Sequence, residues 1–205
     1  MEKTKELSLT AYARRRQTVL ESLKEVIYSN DPKEDKKVHI NDLIYHNPWL
    51  VNENLAFCDY ISETNTSTLE QPAALSYDGN TGKAYESIAI LELKYPMEND
   101  YTHSNNPIWG MLEYVEKIEE NAVNDKYGKQ IKVNNHTQFY LYAVCDLTNS
   151  LKDVAETFDF SETSDKLGMY WYNRNFNAHI QLLSYDKIIV DVGKRNKILF
   201  DKLGI

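Results

Sequence analysis

Glycine, cysteine and long apolar runs are all scarce in this 205-residue chain, and each scarcity excludes a class of protein. The 7 glycines, set against 15 tyrosines, favour an α/β or α+β domain over a loop-rich one. Cys58 and Cys145 have no CxxC partner, so we expect buried thiols rather than a disulfide or a zinc site. No stretch approaches the roughly 18 consecutive apolar residues of a membrane helix, and the first residues lack a signal-peptide core. We therefore predict a cytoplasmic protein with no membrane contact.

Several motifs that carry enzyme chemistry are also absent. The five histidines show neither HxH nor HExxH spacing, which argues against a zinc centre. No glycine-rich phosphate loop and no G-x-S-x-G element occurs, so nucleotide hydrolysis within the chain has no support. The net charge of −8 argues against a surface that is basic over long stretches, although the local cluster at Arg14 and Arg15 is a predicted nucleic-acid contact. The acidic residues 98–100 are predicted to be solvated.

Hydrophobic periodicity predicts one α/β (α+β) domain with a central mixed β-sheet flanked by helices. Helical patterns over 7–28 and 40–45 form an N-terminal helical extension, about 7–46. Apolar runs at 72–77 and 87–93 enclose the turn sequence DGNTG and predict an antiparallel hairpin. Further helices are predicted over 108–121, 150–157 and 185–203, and further strands over 137–146, 169–172 and 178–184.

The most informative segment is 88–96, IAILELKYP. Side chains alternate across a strand, so Glu92 and Lys94 share one face while Leu91 and Leu93 share the other. A strand that is apolar on both faces is usually interior. Burying the two charges would then be costly unless they pair or bind something. Two interpretations are open: an ion pair that reaches solvent at the strand end, or a pair joined by a cation or a phosphate.

In the predicted hairpin register, residue 73 lies opposite Glu92, residue 75 opposite residue 90, and residue 77 opposite residue 88. Pro72-Ala73, a hairpin turn and Glu92-Leu93-Lys94 resemble the PD-(D/E)XK nuclease superfamily, whose motif is Pro-Asp, a turn and Asp/Glu-x-Lys. The resemblance implies a restriction-endonuclease-like fold and a metal-dependent nuclease acting on DNA. Glu92 would hold Mg²⁺ or Mn²⁺, and Lys94 would orient the attacking water and contact nucleic acid. Hard Mg²⁺ prefers carboxylate oxygens, and a metal and an ammonium can both absorb charge that develops on a phosphate.

The resemblance extends over most of the chain, from about residue 14 to the end. The segments 48–61, 90–101, 106–118 and 183–204 are similar to a bacterial branch of these nuclease-like domains. That branch is typically the C-terminal part of larger ATPase proteins with a histidine-kinase-type ATP-binding fold. It implies antiphage defence as the setting, with DNA and an ATPase domain or partner subunit as partners, and it leaves a homo-oligomer open. The abrupt first helix and the orderly last helix suit an excised domain.

The chain departs from the family pattern at two positions. Ala73 stands where the motif has its catalytic aspartate, and Gly110 stands where related domains carry the glutamine of Gln-x-x-x-Tyr, whose tyrosine is Tyr114. A methyl group cannot ligate a metal, so we expect Mg²⁺ affinity and hydrolysis to fall sharply, to the point of inactivity. Three explanations are open: an introduced inactivating substitution, a natural pseudo-nuclease kept for binding or assembly, or an acid supplied from elsewhere. For the third, Glu53 is the predicted additional metal ligand, because a glutamate from the N-terminal helix often completes such sites in the superfamily.

Overall fold

A seven-stranded mixed sheet and five α-helices make up the fold over the residues that the computed structural model describes, which are 2–30, 33–62, 72–76, 83–94, 96 and 98–204. The sheet contains both parallel and antiparallel pairs, and helices cover both of its faces. The predicted α/β class, with a central mixed sheet flanked by helices, is confirmed.

The elements follow one another in a simple order along the chain. The helices are α1 (Glu2–Tyr28), α2 (Lys33–His46), α3 (Pro107–Glu119), α4 (Asn149–Glu156) and α5 (Tyr185–Leu203). The strands are β1 (Asp59–Ser62), β2 (Ala73–Ser76), β3 (Ser87–Leu93), β4 (Gln138–Val144), β5 (Ser161–Glu162), β6 (Gly168–Asn173) and β7 (Ala178–Leu183). Two 3-10 turns, Pro48–Leu50 and Glu53–Phe57, precede β1. The strand order is β1-β2-β3-β4-β7-β6-β5, in which β3 runs parallel to β4 and β4 runs parallel to β7.

Polar caps in the sequence fix where the later helices begin. The side chains of Asn106, Thr148 and Ser184 each accept a hydrogen bond from a backbone N–H in the first turn of α3, α4 and α5. These bonds satisfy donors that a helix start leaves without an intrahelical partner. At the other end of α5, Gly204 adopts a left-handed conformation with φ of 68°, which favours glycine. The cap residues therefore bring α3 and α5 into fixed positions beside the ends of β3 and β7.

Each face of the sheet has its own helical layer. On one face, α3 and α4 pack against the strand residues Ile88, Ile90, Phe139 and Leu141. On the other face, α1, α2 and α5 pack against Leu91, Leu93, Tyr142 and Val144. Burial of a Leu or Ile side chain contributes about 1.5–3 kcal/mol relative to its exposure. The N-terminal helices are thus part of the core, through Leu20, Leu23, Ile40 and Ile44.

The predicted hairpin register is wrong by one residue. Ala73 pairs with Leu91, and Ala74 pairs with Ile90. Directly paired residues of antiparallel strands point to the same face, so Ala73 lies on the face opposite Glu92 and Ala74 on the same face as Glu92. The observed register buries Leu75 in the α1 and α5 layer, whereas the predicted register would have moved it to the α3 face. The turn at 78–82 and the predicted pairing of Tyr77 lie outside the described residues.

Candidate functional site

Glu92 and Lys94 lie at the carboxyl end of β3, next to its parallel neighbour β4. The Lys94 backbone N–H donates to the Val144 carbonyl at 2.9 Å, which extends the parallel ladder beyond β3 itself. Tyr185, at the start of α5, donates its hydroxyl to the Lys94 carbonyl. In open α/β sheets the carboxyl ends of parallel strands are the usual place for ligands. The motif residues therefore stand where a site is expected from topology alone.

The two side chains form a buried ion pair. Lys94 Nζ lies 2.8 Å from Glu92 Oε1, and the Glu92 side chain is only 10% exposed, against 24% for Lys94. The other carboxylate oxygen, Oε2, is buried and has no hydrogen-bond partner. A buried acceptor without a partner costs about 1–3 kcal/mol, and more when it is charged. One oxygen of Glu92 is therefore satisfied by Lys94, and the other is a buried acceptor without a donor.

Gly110 allows α3 to approach this carboxylate closely. A Cβ atom at residue 110 would lie 3.0 Å from Glu92 Oε2 and 3.1 Å from Oε1, tighter than ordinary carbon–oxygen contact. Tyr114, one helical turn further on, is buried in the same α3 layer. The structure thus places both residues of the predicted Gln-x-x-x-Tyr positions on α3, with residue 110 directly against the Glu92 carboxylate.

Burial and pairing act on the two charges in opposite directions. Burial raises the pKa of the Glu92 carboxyl, and the Lys94 ammonium offsets only part of that rise. Burial lowers the pKa of Lys94, but the Glu92 carboxylate outweighs it, so the pKa of Lys94 lies above its ordinary value. Lys94 is consequently charged at neutral pH. The Glu92 carboxylate depends on Lys94 for its stability in the ionised form.

Several groups around this pair were not predicted from the sequence. Glu98 was expected to be solvated, yet it is half-buried, and its negative charge raises the pKa of both Glu92 and Lys94. The Tyr101 hydroxyl is buried without a hydrogen-bond partner, and burial raises its pKa, with Cys145 and Glu98 adding to the effect. Cys145 is a free, buried thiol, as predicted, whereas the other free thiol, Cys58, is only partly buried. The position after the end of β4 was the one available sign that Cys145 would belong to the site.

Glu53, the predicted additional metal ligand, lies in the helical layer on the other side of the sheet. It accepts two hydrogen bonds from Arg16 of α1, one of them 2.6 Å long to Oε2, and Arg195 of α5 lies 3.7 Å away. The Arg16 hydrogen bonds lower the pKa of Glu53. The structure therefore does not bring Glu53 to Glu92, because the sheet separates them and two arginines occupy its carboxylate.

The predicted nucleic-acid contacts Arg14 and Arg15 are exposed on α1, which also belongs to the layer across the sheet from Glu92. Their neighbour Arg16 is buried at 5% exposure and stacks over the Trp49 ring, 4.0 Å from its centroid. Of the predicted basic contacts, Lys94 alone stands beside Glu92.

Glu92 Oε2 is the carboxylate oxygen at this strand end that could serve a hard cation as a ligand. Among the residues that the structure describes, no group of three or more His, Cys, Asp or Glu side chains is placed to hold a metal. Mg²⁺ commonly keeps several waters and takes one or two carboxylates together with substrate phosphates. The unpartnered Glu92 Oε2 is a ligand of that kind.

No family model matches the chain, and neither the curated proteins nor the solved structures include a match. The PD-(D/E)XK resemblance therefore stays a prediction. None of the helices in the described ranges is long and apolar enough to cross a membrane.

Proposed function

We propose that the chain is a metal-dependent nuclease domain of the PD-(D/E)XK type, whose reaction is hydrolysis of phosphodiester bonds of DNA with Mg²⁺ or Mn²⁺ held at Glu92, and that Ala73, in place of the motif aspartate, inactivates it in this form. One observation carries the proposal: Glu92 is buried at the carboxyl end of a parallel strand, with Lys94 on one oxygen and no partner on the other. The pair lies on the second strand of an antiparallel hairpin, in the order that the motif requires. The antiphage setting and an ATPase partner follow from the sequence resemblance alone.

The side chains have separate roles in this proposal. Glu92 would hold the cation through Oε2, and the cation would supply polarisation of the phosphate and of the attacking water. The Lys94 ammonium, 2.8 Å from Oε1, stabilises the negative charge that develops on the phosphate oxygens. Gly110 lets α3 hold the Glu92 carboxylate in one position, so that little ordering is left for the reaction itself.

A non-catalytic binding or assembly module is the second candidate, and a specific observation favours it. In the observed register, residue 74 is the residue of β2 that lies nearest to Glu92 on the same face, and like residue 73 it is alanine. The described strand β2, with the sequence AALS, therefore supplies no carboxylate in either register. In this interpretation α3 covers the Glu92 carboxylate, and the protein keeps the nuclease-like fold without the catalytic activity.

The two candidates are separated by restoring a carboxylate at each hairpin position. Ala74→Asp places an acid diagonally across from Glu92, where Cβ atoms of such pairs lie about 7–8 Å apart or somewhat less, within reach of a shared cation. Ala73→Asp restores the motif residue on the other face. Because Ala74 is fully buried, Ala74→Asn serves as a control of matched size, and circular dichroism verifies folding.

We expect nicking of plasmid DNA with Mg²⁺ or Mn²⁺ to rise in Ala74→Asp above the starting protein and above Ala74→Asn. Glu92→Gln or Lys94→Met in the same background should abolish it. A gain in Ala73→Asp instead would also support a nuclease, and would place the motif aspartate at the site despite the observed register. Intact DNA with every folded variant, under both metals, would overturn the nuclease proposal and favour the binding module.

A further inference from the structure

We infer a second binding site, on the face of the sheet opposite Glu92, for a planar, uncharged heteroaromatic molecule of the nucleoside class. The site is a cavity of about 340 Å³ at the amino ends of β3 and β4, bounded also by β2 and by the 3-10 turn Glu53–Phe57. Small-molecule pockets commonly have volumes of about 300–1,000 Å³, so one such molecule fits. The inference goes beyond the nuclease proposal and does not depend on it.

A small residue leaves a gap in a row of large side chains across the sheet. Strand pairing places five residues side by side on this face, in the order Leu75, Ala89, Tyr140, His179 and Tyr172. The first three of them line the cavity. Neighbouring strands lie about 4.8 Å apart, so roughly 10 Å separates the strands of Leu75 and Tyr140, with only the methyl group of Ala89 between them. The gap is therefore a slot with an apolar wall on one side and a tyrosine on the other.

The Tyr140 ring forms a fixed wall of this slot. It stacks on His179 with the ring centroids 5.4 Å apart and an interplanar angle of 11°, and the Tyr172 ring lies 4.7 Å from His179. Because His179 lies on the β7 side, the other face of the Tyr140 ring is turned toward β3 and the space above Ala89. Aromatic rings prefer centroid separations of about 4.5–7 Å, and a ring above Ala89 would lie about one strand spacing from Tyr140. A planar ligand in the slot therefore continues the aromatic stack.

Hydrogen-bond donors line the same cavity. Tyr140 donates its hydroxyl to Gln138 Oε1 at 3.0 Å, so the Gln138 carbonyl oxygen is occupied and its amide nitrogen has no partner among the described residues. Ser87 pairs with Gln138 across β3 and β4, and its hydroxyl likewise lacks a partner in the described part of the chain. The ring nitrogens and carbonyl oxygens of a nucleobase are acceptors that suit these two donors.

The charge of the lining selects an uncharged ligand. Of the described residues that line the cavity, Glu86 alone is charged, and it is exposed. A phosphate group in this cavity would meet a carboxylate and none of the lysine or arginine side chains that bind phosphates well. The composition of the cavity therefore favours a nucleoside over a nucleotide.

Isothermal titration calorimetry with adenosine, cytidine and thymidine, each titrated separately, tests the site. We expect saturable binding of at least one nucleoside. Tyr140→Ala should weaken that binding by at least about fivefold, the lower end of the loss when a base loses one aromatic stacking partner. Tyr140→Phe keeps the ring and should stay within about threefold of the starting protein. Tyr172→Ala removes an exposed tyrosine of the same row that does not line the cavity, and this matched control should stay within about twofold.

Ala89→Leu tests the slot by filling it. The variant should lose nucleoside binding and unfold at an unchanged or higher temperature, because the added side chain occupies empty space. A clear fall in the unfolding temperature would show that the space above Ala89 is already filled, and would overturn the inference.

The remaining outcomes decide the ligand class and separate this inference from the nuclease proposal. Absence of saturable binding by all three nucleosides, or equal affinity of Tyr140→Ala and the starting protein, would overturn the site. Adenosine 5′-monophosphate should bind no more tightly than adenosine, and a gain of about tenfold or more would overturn the uncharged class. Glu92→Gln changes the other face of the sheet and should leave nucleoside binding unchanged, so either proposal can fail without the other.

Discussion

Replacing Lys94 by methionine isolates the Glu92 carboxylate in the sheet. The substitution retains an unbranched apolar side chain but removes the ammonium 2.8 Å from Oε1, while Oε2 already lacks a partner. Breaking a buried ion pair by removing one partner costs about 3–5 kcal/mol, because the remaining charge is left uncompensated. Lys94 is 24% exposed, so water can reach part of the vacated space, and the lower end of that range is expected at neutral pH.

The cost of Lys94→Met should depend on pH, with a sign that follows from burial. Burial already raises the pKa of Glu92, and without Lys94 nothing opposes that rise. A group whose pKa is higher in the folded state contributes full stability below its unfolded pKa, and that stability is lost as the pH rises through the folded pKa. The loss is limited to about 1.4 kcal/mol per pH unit for one proton. The variant should therefore be nearly as stable as the starting protein at pH 5 and clearly less stable at pH 8.

Urea unfolding followed by circular dichroism at pH 5 and pH 8 measures this effect. Glu92→Gln alone leaves an ammonium that can reach solvent, so it should lower the free energy of unfolding by less than Lys94→Met does. The double variant Glu92→Gln/Lys94→Met buries no charge, so it should recover most of the lost stability at pH 8 and show little extra dependence on pH. An equal loss for Lys94→Met at both pH values, or no recovery in the double variant, would refute a buried, interacting pair.

Three further substitutions test the surroundings of the pair. Tyr101→Phe removes a buried hydroxyl that has no hydrogen-bond partner, so the free energy of thermal unfolding of the metal-free protein should rise by up to about 1 kcal/mol. A fall of that size would show that the hydroxyl is hydrogen-bonded. Arg16→Met should cost about 1–2 kcal/mol, since Glu53 is partly exposed and can be hydrated, and Mn²⁺ binding should not change. Because Arg16 lowers the pKa of Glu53, the contribution of that pair should be present above the ordinary carboxyl pKa and disappear as the pH falls. Gly110→Gln puts a Cβ 3.0 Å from the Glu92 carboxylate, so the free energy of unfolding measured in urea should fall by about 1–3 kcal/mol. A higher free energy of unfolding would show that α3 moves away freely.

Long segments with a clear hydrophobic periodicity were predictable from the sequence, because the pattern of buried residues and the secondary-structure propensity of the segment agree. β3 and α5 have the bounds that the apolar pattern predicted, 87–93 and 185–203. The edge strands β1 and β5 were not predicted, since four and two residues carry too little alternation to signal a strand. The hairpin register was wrong because it was counted from the turn, whereas burial of Leu75 in the α1 and α5 layer sets the pairing.

The candidate site was also predicted only in part, because some of its features follow from the local sequence and others arise from tertiary packing. Alternation along one strand is enough to predict that Glu92 and Lys94 share a face and are partly buried, as they are. The partial burial of Glu98 could not be predicted, because the composition of a loop rich in Asn, Asp and Pro indicates solvent exposure regardless of what the loop packs against. The Gly110 contact with Glu92 arises from the packing of α3 on β3, and only the resemblance indicated that residue 110 mattered.

The topology limits where a second acid beside Glu92 can come from. Such an acid has to reach the same edge and the same face of the sheet as Glu92. The loops that follow β3 and β4 both emerge there, carrying Glu98 and Asp146, and the α4 contact with Asn99 holds the first of them in place. Glu53 enters from the opposite layer, where Arg16 already binds it, so the intervening sheet excludes it.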